Sequence, residues 1–117
     1  MRFNEVTYSD AVPIDGYGPG MFRVAGEALD GAIAILPSGV TPWDGYGDTA
    51  HLVARADDID VLLVGTGAEP GFVPPAFRTA LEAAGLGLEL MATPSACRTF
   101  NVLLGEGRRV GAALLPV

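Results

Sequence analysis

The second half of this chain alternates two hydrophobic periods, and that alternation limits the fold more than any other feature. "DVLLVGTG" (60–67) is a continuous apolar run of strand length ending at glycine, the pattern of a strand buried on both faces. "PPAFRTALEAAG" (74–85) follows with Phe77, Ala80, Leu81 and Ala84 at i, i+3, i+4 and i+7. Pro74 and Pro75 open that amphipathic helix and Gly85 closes it. "LGLELM" (86–91) puts Leu86, Leu88 and Leu90 on one face of a strand. "TPSACRTFNVLLGEG" (93–107) reads as a second helix and "RRVGAALLP" (108–116) as a last strand. Strand–helix–strand–helix–strand over 60–115 predicts an α/β fold with a partly parallel sheet, because each crossover helix packs back onto a sheet face.

The first half is punctuated by glycine and proline. The first ten residues read as weakly ordered. "VPIDGYGPGMFRVAG" (12–26) is extended and turn-rich, with "MFRVAG" a short strand; "GAIAILPSG" (31–39) is another, stopped by Pro37 and Gly39. "TPWDGYGDT" (41–49) reads as loop, and "DTAHLVARA" (48–56) as one or two helical turns capped by Asp48. These segments should add antiparallel strands. At 117 residues the chain is expected to form one domain, 1–117.

Charge bears on partners. The net charge is −7 and all seven basic residues are arginine. No basic run exists to neutralise phosphates, so nucleic acid is not an expected partner. Arg98, Arg108 and Arg109 face only Glu106 within 96–117, making that segment locally cationic. One cysteine, Cys97, allows no internal disulfide, and the lone His51 offers no zinc spacing, so neither a metal nor another cofactor is expected. The first residues show neither a secretion-signal core nor a mitochondrial targeting pattern, and no apolar run reaches the roughly 20 residues of a membrane helix. A bacterial cytoplasmic protein without membrane insertion is the expectation.

Two candidate sites emerge. If 60–65 and 86–91 are parallel neighbours, the turns leaving them, "GTG" and "ATPS", share one rim of the sheet, where ligands of open α/β sheets commonly bind. Gly65, Thr66 and Gly67 would then meet Ser95, Cys97, Arg98 and Asn101 around an anion-sized pocket. Thr93 would cap the helix and Pro94 occupy its first position. Cys97 has two readings here. It lies in the apolar stripe with Phe100, Asn101 and Leu104, as a core residue would; it also lies at a helix N-terminus beside Arg98, where a thiol is activated. A dinucleotide fingerprint is absent, since its third glycine would fall on Pro70.

The second candidate is a protein-contact surface. Tyr17 and Tyr46 sit in two copies of "DGYG", read as loop tips. Trp43 is either a lid over the core or a partner anchor. Arg108 and Arg109, adjacent at a strand entry, should point to opposite faces, one pairing with Glu106 or an inward acid and the other facing solvent or a partner.

The stretches "FRVAG", "ILPSGVTPW", "VLLVGTG" and "LELMATPSACRTFNVLLGEGRRVGAALLP" together resemble a family of small domains of unknown function that includes the mitochondrial complex I assembly factor 3. The resemblance implies an N-terminal β-hammerhead-like section followed by a three-layer α/β core, no established reaction, and action through protein contacts. Family-typical positions are Trp43, Gly65, Thr66, Gly67, Cys97, Arg98, Thr99, Asn101, Glu106, Arg108 and Arg109. Phe100 stands where members often carry tyrosine, and Ala92 where many carry a polar residue. The expected function is therefore a non-catalytic interaction or assembly factor; the alternative is a small-anion or metabolite-binding domain, possibly an enzyme, built on the rim.

Overall fold

The computed structural model describes residues 12–117; the weak order expected over 1–10 lies outside the described residues. Strands β1 (Ile14–Gly18), β2 (Met21–Val24) and β3 (Glu27–Asp30) form an antiparallel sheet in that order. Ala25 and Gly26, both at positive φ (53° and 81°), make the two-residue turn between β2 and β3. That backbone twist suits a tight hairpin.

A second, five-stranded sheet is assembled from β4 (Ile33–Leu36), β5 (Gly39–Pro42), β6 (Val61–Thr66), β7 (Gly87–Met91) and β8 (Val110–Leu115), in the spatial order β5-β4-β8-β6-β7. β6 runs parallel to β7 and β8, whereas β4 is antiparallel to β5 and β8. Helices α1 (Ala50–Ala54), α2 (Pro75–Ala83) and α3 (Thr93–Gly105) complete the set, with a 3-10 turn over Ala56–Asp58. The fold is thus the expected mixed α/β arrangement.

Chain order decides which face each helix covers. The step from β6 to β7 moves outward across the sheet, and the step from β7 to β8 moves back past β6. Two right-handed crossovers with opposite steps must lie on opposite faces. The side chains agree. Ala34, Leu36, Leu62, Val64 and Ala113 pack with Leu52 of α1 and with Phe77 and Leu81 of α2. The alternate residues Ile33, Ile35, Leu63, Ala112 and Leu114 pack with Ala96, Cys97 and Phe100 of α3. Ile14, Phe22 and Val24 join this second cluster, so the small sheet and α3 together cover that face. Gly111 has no side chain because Leu36 and Ile59 leave no room: a Cβ would lie 2.8 Å from Leu36 Cδ2.

Five expectations need correction. The first "DGYG" is strand, not loop: Tyr17 pairs with Phe22 within the β1–β2 ladder. Residues 39–42 form β5 despite Gly39 and Pro42, because the antiparallel partner β4 supplies the pairing. β3, mostly exposed and without apolar alternation, carries no strand signal of its own. The last strand starts at Val110, so Arg108 and Arg109 sit in the loop before it and the opposite-faces argument does not apply. α1 is preceded by Thr49 at the N-cap, one residue later than Asp48.

Candidate functional site

The parallel strands bring the two turns to one rim. The ends of β6, β7 and β8 meet there, and Thr93 ties them together. Its N–H donates to Gly67 O (2.8 Å), its hydroxyl accepts from Gly67 N–H (2.9 Å), and the same hydroxyl donates to Leu115 O (2.6 Å). Thr93 is fully buried, so each of these groups needs its partner. It is the first helical residue, not the N-cap: Ala92 holds that position and makes no side-chain cap bond. A helix start without a capping side chain is instead anchored through Thr93 N–H to the neighbouring turn.

The glycines follow from this contact. A Cβ on Gly65 would stand 2.7 Å from Thr93 Oγ1 and 2.9 Å from Leu114 Cδ2. Gly67 adopts φ 105°, a conformation that strains other residues. Thr66 directs its hydroxyl to Glu69 O (2.9 Å) and Met91 O (3.2 Å), closing the turn after β6 over the end of β7.

Of the remaining residues of the expected anion pocket, Asn101 and Cys97 are engaged within the chain. Asn101 donates from its amide nitrogen to Ile14 O and accepts Ile14 N–H at its amide oxygen, both at 2.8 Å. It therefore latches α3 to β1 and faces the small sheet. Cys97 is 4% exposed and belongs to the core cluster. Burial pushes its thiol up from an ordinary value of 9.0 to about 11, outweighing the opposite pull of the Arg98 charge. Such a thiol stays protonated at neutral pH, which removes the basis for an activated nucleophile. Arg98 is exposed, reaching Ser95 Oγ at 3.4 Å. At the rim, Gly67, Thr66 and Thr93 pair backbone and hydroxyl groups with one another and with Leu115, Glu69 and Met91, while Ser95 and Arg98 stay at the surface. Among the described residues there is also no cluster of three or more His, Cys, Asp and Glu side chains able to hold a metal.

The expected contact residues separate into two groups. Trp43 is buried, 3% exposed, with Nε1–H donating to Asp48 O at 3.0 Å. It packs with Tyr46 and Phe77 at ring-centroid distances of 5.7 and 6.0 Å, and Tyr46 meets Phe77 at 5.1 Å. These rings form the lid over the α2 face, and burial raises the Tyr46 phenol pKa; Trp43 is buried within the lid, whereas Tyr46 is half-buried at its edge. Tyr17 is 41% exposed on β1. Arg109 bonds Asp60 Oδ1 (3.2 Å) and Asp57 O (3.0 Å) rather than Glu106. Arg108 is exposed and forms no ion pair among the described residues.

Sequence reasoning passed over one residue that the structure makes conspicuous. Phe72, between β6 and α2, is 97% exposed. Its loop is held back against the rim, since the Cα of Gly71 faces the Thr66 side chain closely enough that a Cβ would lie 3.6 Å from Thr66 Cβ. The available signal was an aromatic outside both periodic segments, bracketed by Pro70, Gly71, Pro74 and Pro75.

A mixed-sheet α/β domain with an exposed aromatic in the loop after β6 is the class that this geometry defines. Residues 14–115 match the family described as "Protein of unknown function (DUF498/DUF598)", and the chain belongs to that family. It is 50% identical over 117 residues to an uncharacterized protein of Rhodobacter capsulatus, covering all of this chain and 94% of that one. It is 32% identical over 117 residues to the mouse NADH dehydrogenase [ubiquinone] 1 alpha subcomplex assembly factor 3, covering 93% of this chain but only 63% of the mouse protein. Among solved structures, a protein of Bartonella henselae described as an outer membrane protein superposes with a TM-score of 0.85 at 38% identity, over 94% of this chain and 98% of that one. No helix among the described residues of the present chain is long and apolar enough to cross a membrane.

Proposed function

We propose that this chain is a non-catalytic protein-interaction domain serving the assembly of a larger complex in the bacterial cytoplasm, and that it docks through the loop carrying Phe72. The exposure of Phe72 carries the reading. Leaving such a ring in water forgoes about 1.5–3 kcal/mol of burial, and aromatic side chains of this kind are enriched at the anchoring centres of interfaces. Prolines on both sides restrict the loop, which lowers the ordering cost on docking. The similarity to an assembly factor supports the same reading, and Arg108 and Tyr17 are the further contact residues. The rim residues Gly65, Thr66, Gly67 and Thr93 act in this reading as the support that holds the loop, with Ser95 and Arg98 at the surface beside it.

The mammalian relative's name directs the first search to subunits of the bacterial NADH dehydrogenase. Capture from a bacterial lysate with the wild-type chain should retain a protein that Phe72→Ala loses. The variant should melt like the wild type, because a substitution at a fully exposed site changes stability by about 0.5 kcal/mol or less. The double variant Arg108→Glu, Arg109→Glu should weaken the same capture. Equal retention by wild type and Phe72→Ala at matched abundance would remove Phe72 from the interaction.

A further inference from the structure

A second surface offers a different mode of contact. β3 and β5 are edge strands of the two sheets, and the cleft between them has a volume of about 270 Å³ with Ala28, Asp30, Val40 and Pro42 along its sides and Leu29 and Ile33 among its apolar lining. Hydrogen-bond register shows which backbone groups face outward. The tight turn at Ala25–Gly26 makes Val24–Glu27 a bonded pair, and Gly31 N–H donates to Gly20 O. Bonded and non-bonded pairs alternate in an antiparallel ladder. Ala28 and Asp30 are therefore in non-bonded pairs, and their N–H and C=O groups point away from β2. Likewise Trp43 N–H donates to Ala32 O. This makes Ala34–Thr41 a bonded pair and turns the backbone groups of Val40 and Pro42 away from β4. Among the described residues, the unpaired groups of both edges thus belong to the residues that line the cleft.

From this coincidence we infer that the cleft binds an extended segment of a protein partner, added as a strand along β5 or β3, with a β-branched apolar side chain in the cleft and lysine or arginine beside it. Edge strands bind extended chains in this manner, main-chain bonds supplying affinity and alternate side chains selectivity. The volume lies below the range of roughly 300–1,000 Å³ usual for small-molecule sites, and it suits one side chain. Asp30 is the charged residue of the lining, in a chain of net charge −7, which selects a cationic segment. Pro42 lacks an N–H and interrupts the outer edge of β5. That discourages continuous pairing with another copy while leaving Val40 able to bond. The inference rests on the protein-interaction reading above and does not depend on Phe72.

The test uses the full chain and a capped hexapeptide alternating lysine and valine. On titration, the amides of Ala28, Asp30 and Val40 should shift together in NMR spectra and become protected from exchange. Methylating the peptide nitrogens of its three valines, or of its three lysines, should abolish binding in at least one of the two forms. Asp30→Lys, at an exposed position, should weaken the lysine peptide roughly tenfold and admit one alternating glutamate and valine. Shifts spread evenly over the acidic surface, or affinity indifferent to both N-methylation and Asp30→Lys, would overturn the inference. So would protection of the Val40 amide without peptide: protection lost on dilution assigns the edge to a second copy, and protection independent of concentration assigns it to the chain's own residues 1–11. Failure of the peptide with Phe72-dependent capture intact would refute the cleft alone; failure of capture with the peptide bound would refute only the docking role of Phe72.

Discussion

Thr93 joins the ends of β6 and β8 to the start of α3 through one buried side chain. Its hydroxyl has one proton and two lone pairs; the proton goes to Leu115 O and a lone pair takes Gly67 N–H. Thr93→Val keeps the shape and strands both partners in a buried setting, which should destabilise the protein by about 2–4 kcal/mol. Thr93→Ser, retaining the hydroxyl, should recover most of that in chemical denaturation; equal losses for the two variants would mean that packing, not bonding, is the cause. Cys97 makes a different prediction at the same scale. Its thiol is raised to about 11 in the fold, so between the unfolded and folded pKa values the unfolded chain binds fewer protons. Stability from the neutral buried thiol is then fully present below pH 9 and is lost as pH rises toward 11. Melting temperatures taken from pH 8 to 11 should fall, and Cys97→Ala should flatten the part of that slope not owed to Tyr46. An identical slope in the variant would rule out the thiol as its source.

Elements are joined by a few long-range polar contacts on top of their apolar faces. Asn101 is one, 87 positions away from its partner Ile14. Its paired amide geometry imitates a strand neighbour, giving β1 bonds to a helix that cannot supply a ladder. Asn101→Ala should leave Ile14 N–H and C=O without partners, cost about 1–3 kcal/mol, and accelerate amide exchange in β1 and β2 more than in β6 and β8. Uniform acceleration across both sheets would show that the small sheet has no stability distinct from the large one. The pair of Arg109 with Asp60 is of another kind: both side chains are more than half exposed, and such pairs contribute about 1 kcal/mol or less. At this scale the sequence was most legible where periods were long. α2, α3, β6, β7 and β8 all follow from hydrophobic spacing. β3 and β5 do not, because a four-residue edge strand buries too little to need a pattern and exists through its hairpin partner.

For the molecule as a whole, the convergence of three strand ends on one rim is a result of topology, and its chemistry is decided by which polar groups remain unpaired there. An anion site of millimolar Kd would stabilise the fold by about 1.4 kcal/mol at roughly 10 mM ligand, a melting shift of several degrees for a domain of this size. Phosphate, sulfate and simple carboxylates at that concentration should shift melting by less than about 1 °C. A larger rise that Arg98→Ala abolishes would restore the anion reading. Trp43 illustrates the same limit of inference. A tryptophan in a glycine-rich loop is equally suited to a lid and to an anchor until its burial against Phe77 and Tyr46 is known.

By itself the sequence determined the alternation of strands and helices, their sense through right-handed crossovers, the apolar stripe that includes Cys97 and Phe100, and the meeting of two glycine- and proline-marked turns on one rim. These follow from local periodicity and chirality, which act within a few residues. Only tertiary structure decided that Thr93, Thr66 and Asn101 face inward to bond strand ends, that Trp43 is covered, that Phe72 is bare, and that among the described residues two edge strands border one cleft. Each of those depends on atoms brought together from distant positions, and a polar side chain has no assigned role until its nearest donor and acceptor are in place.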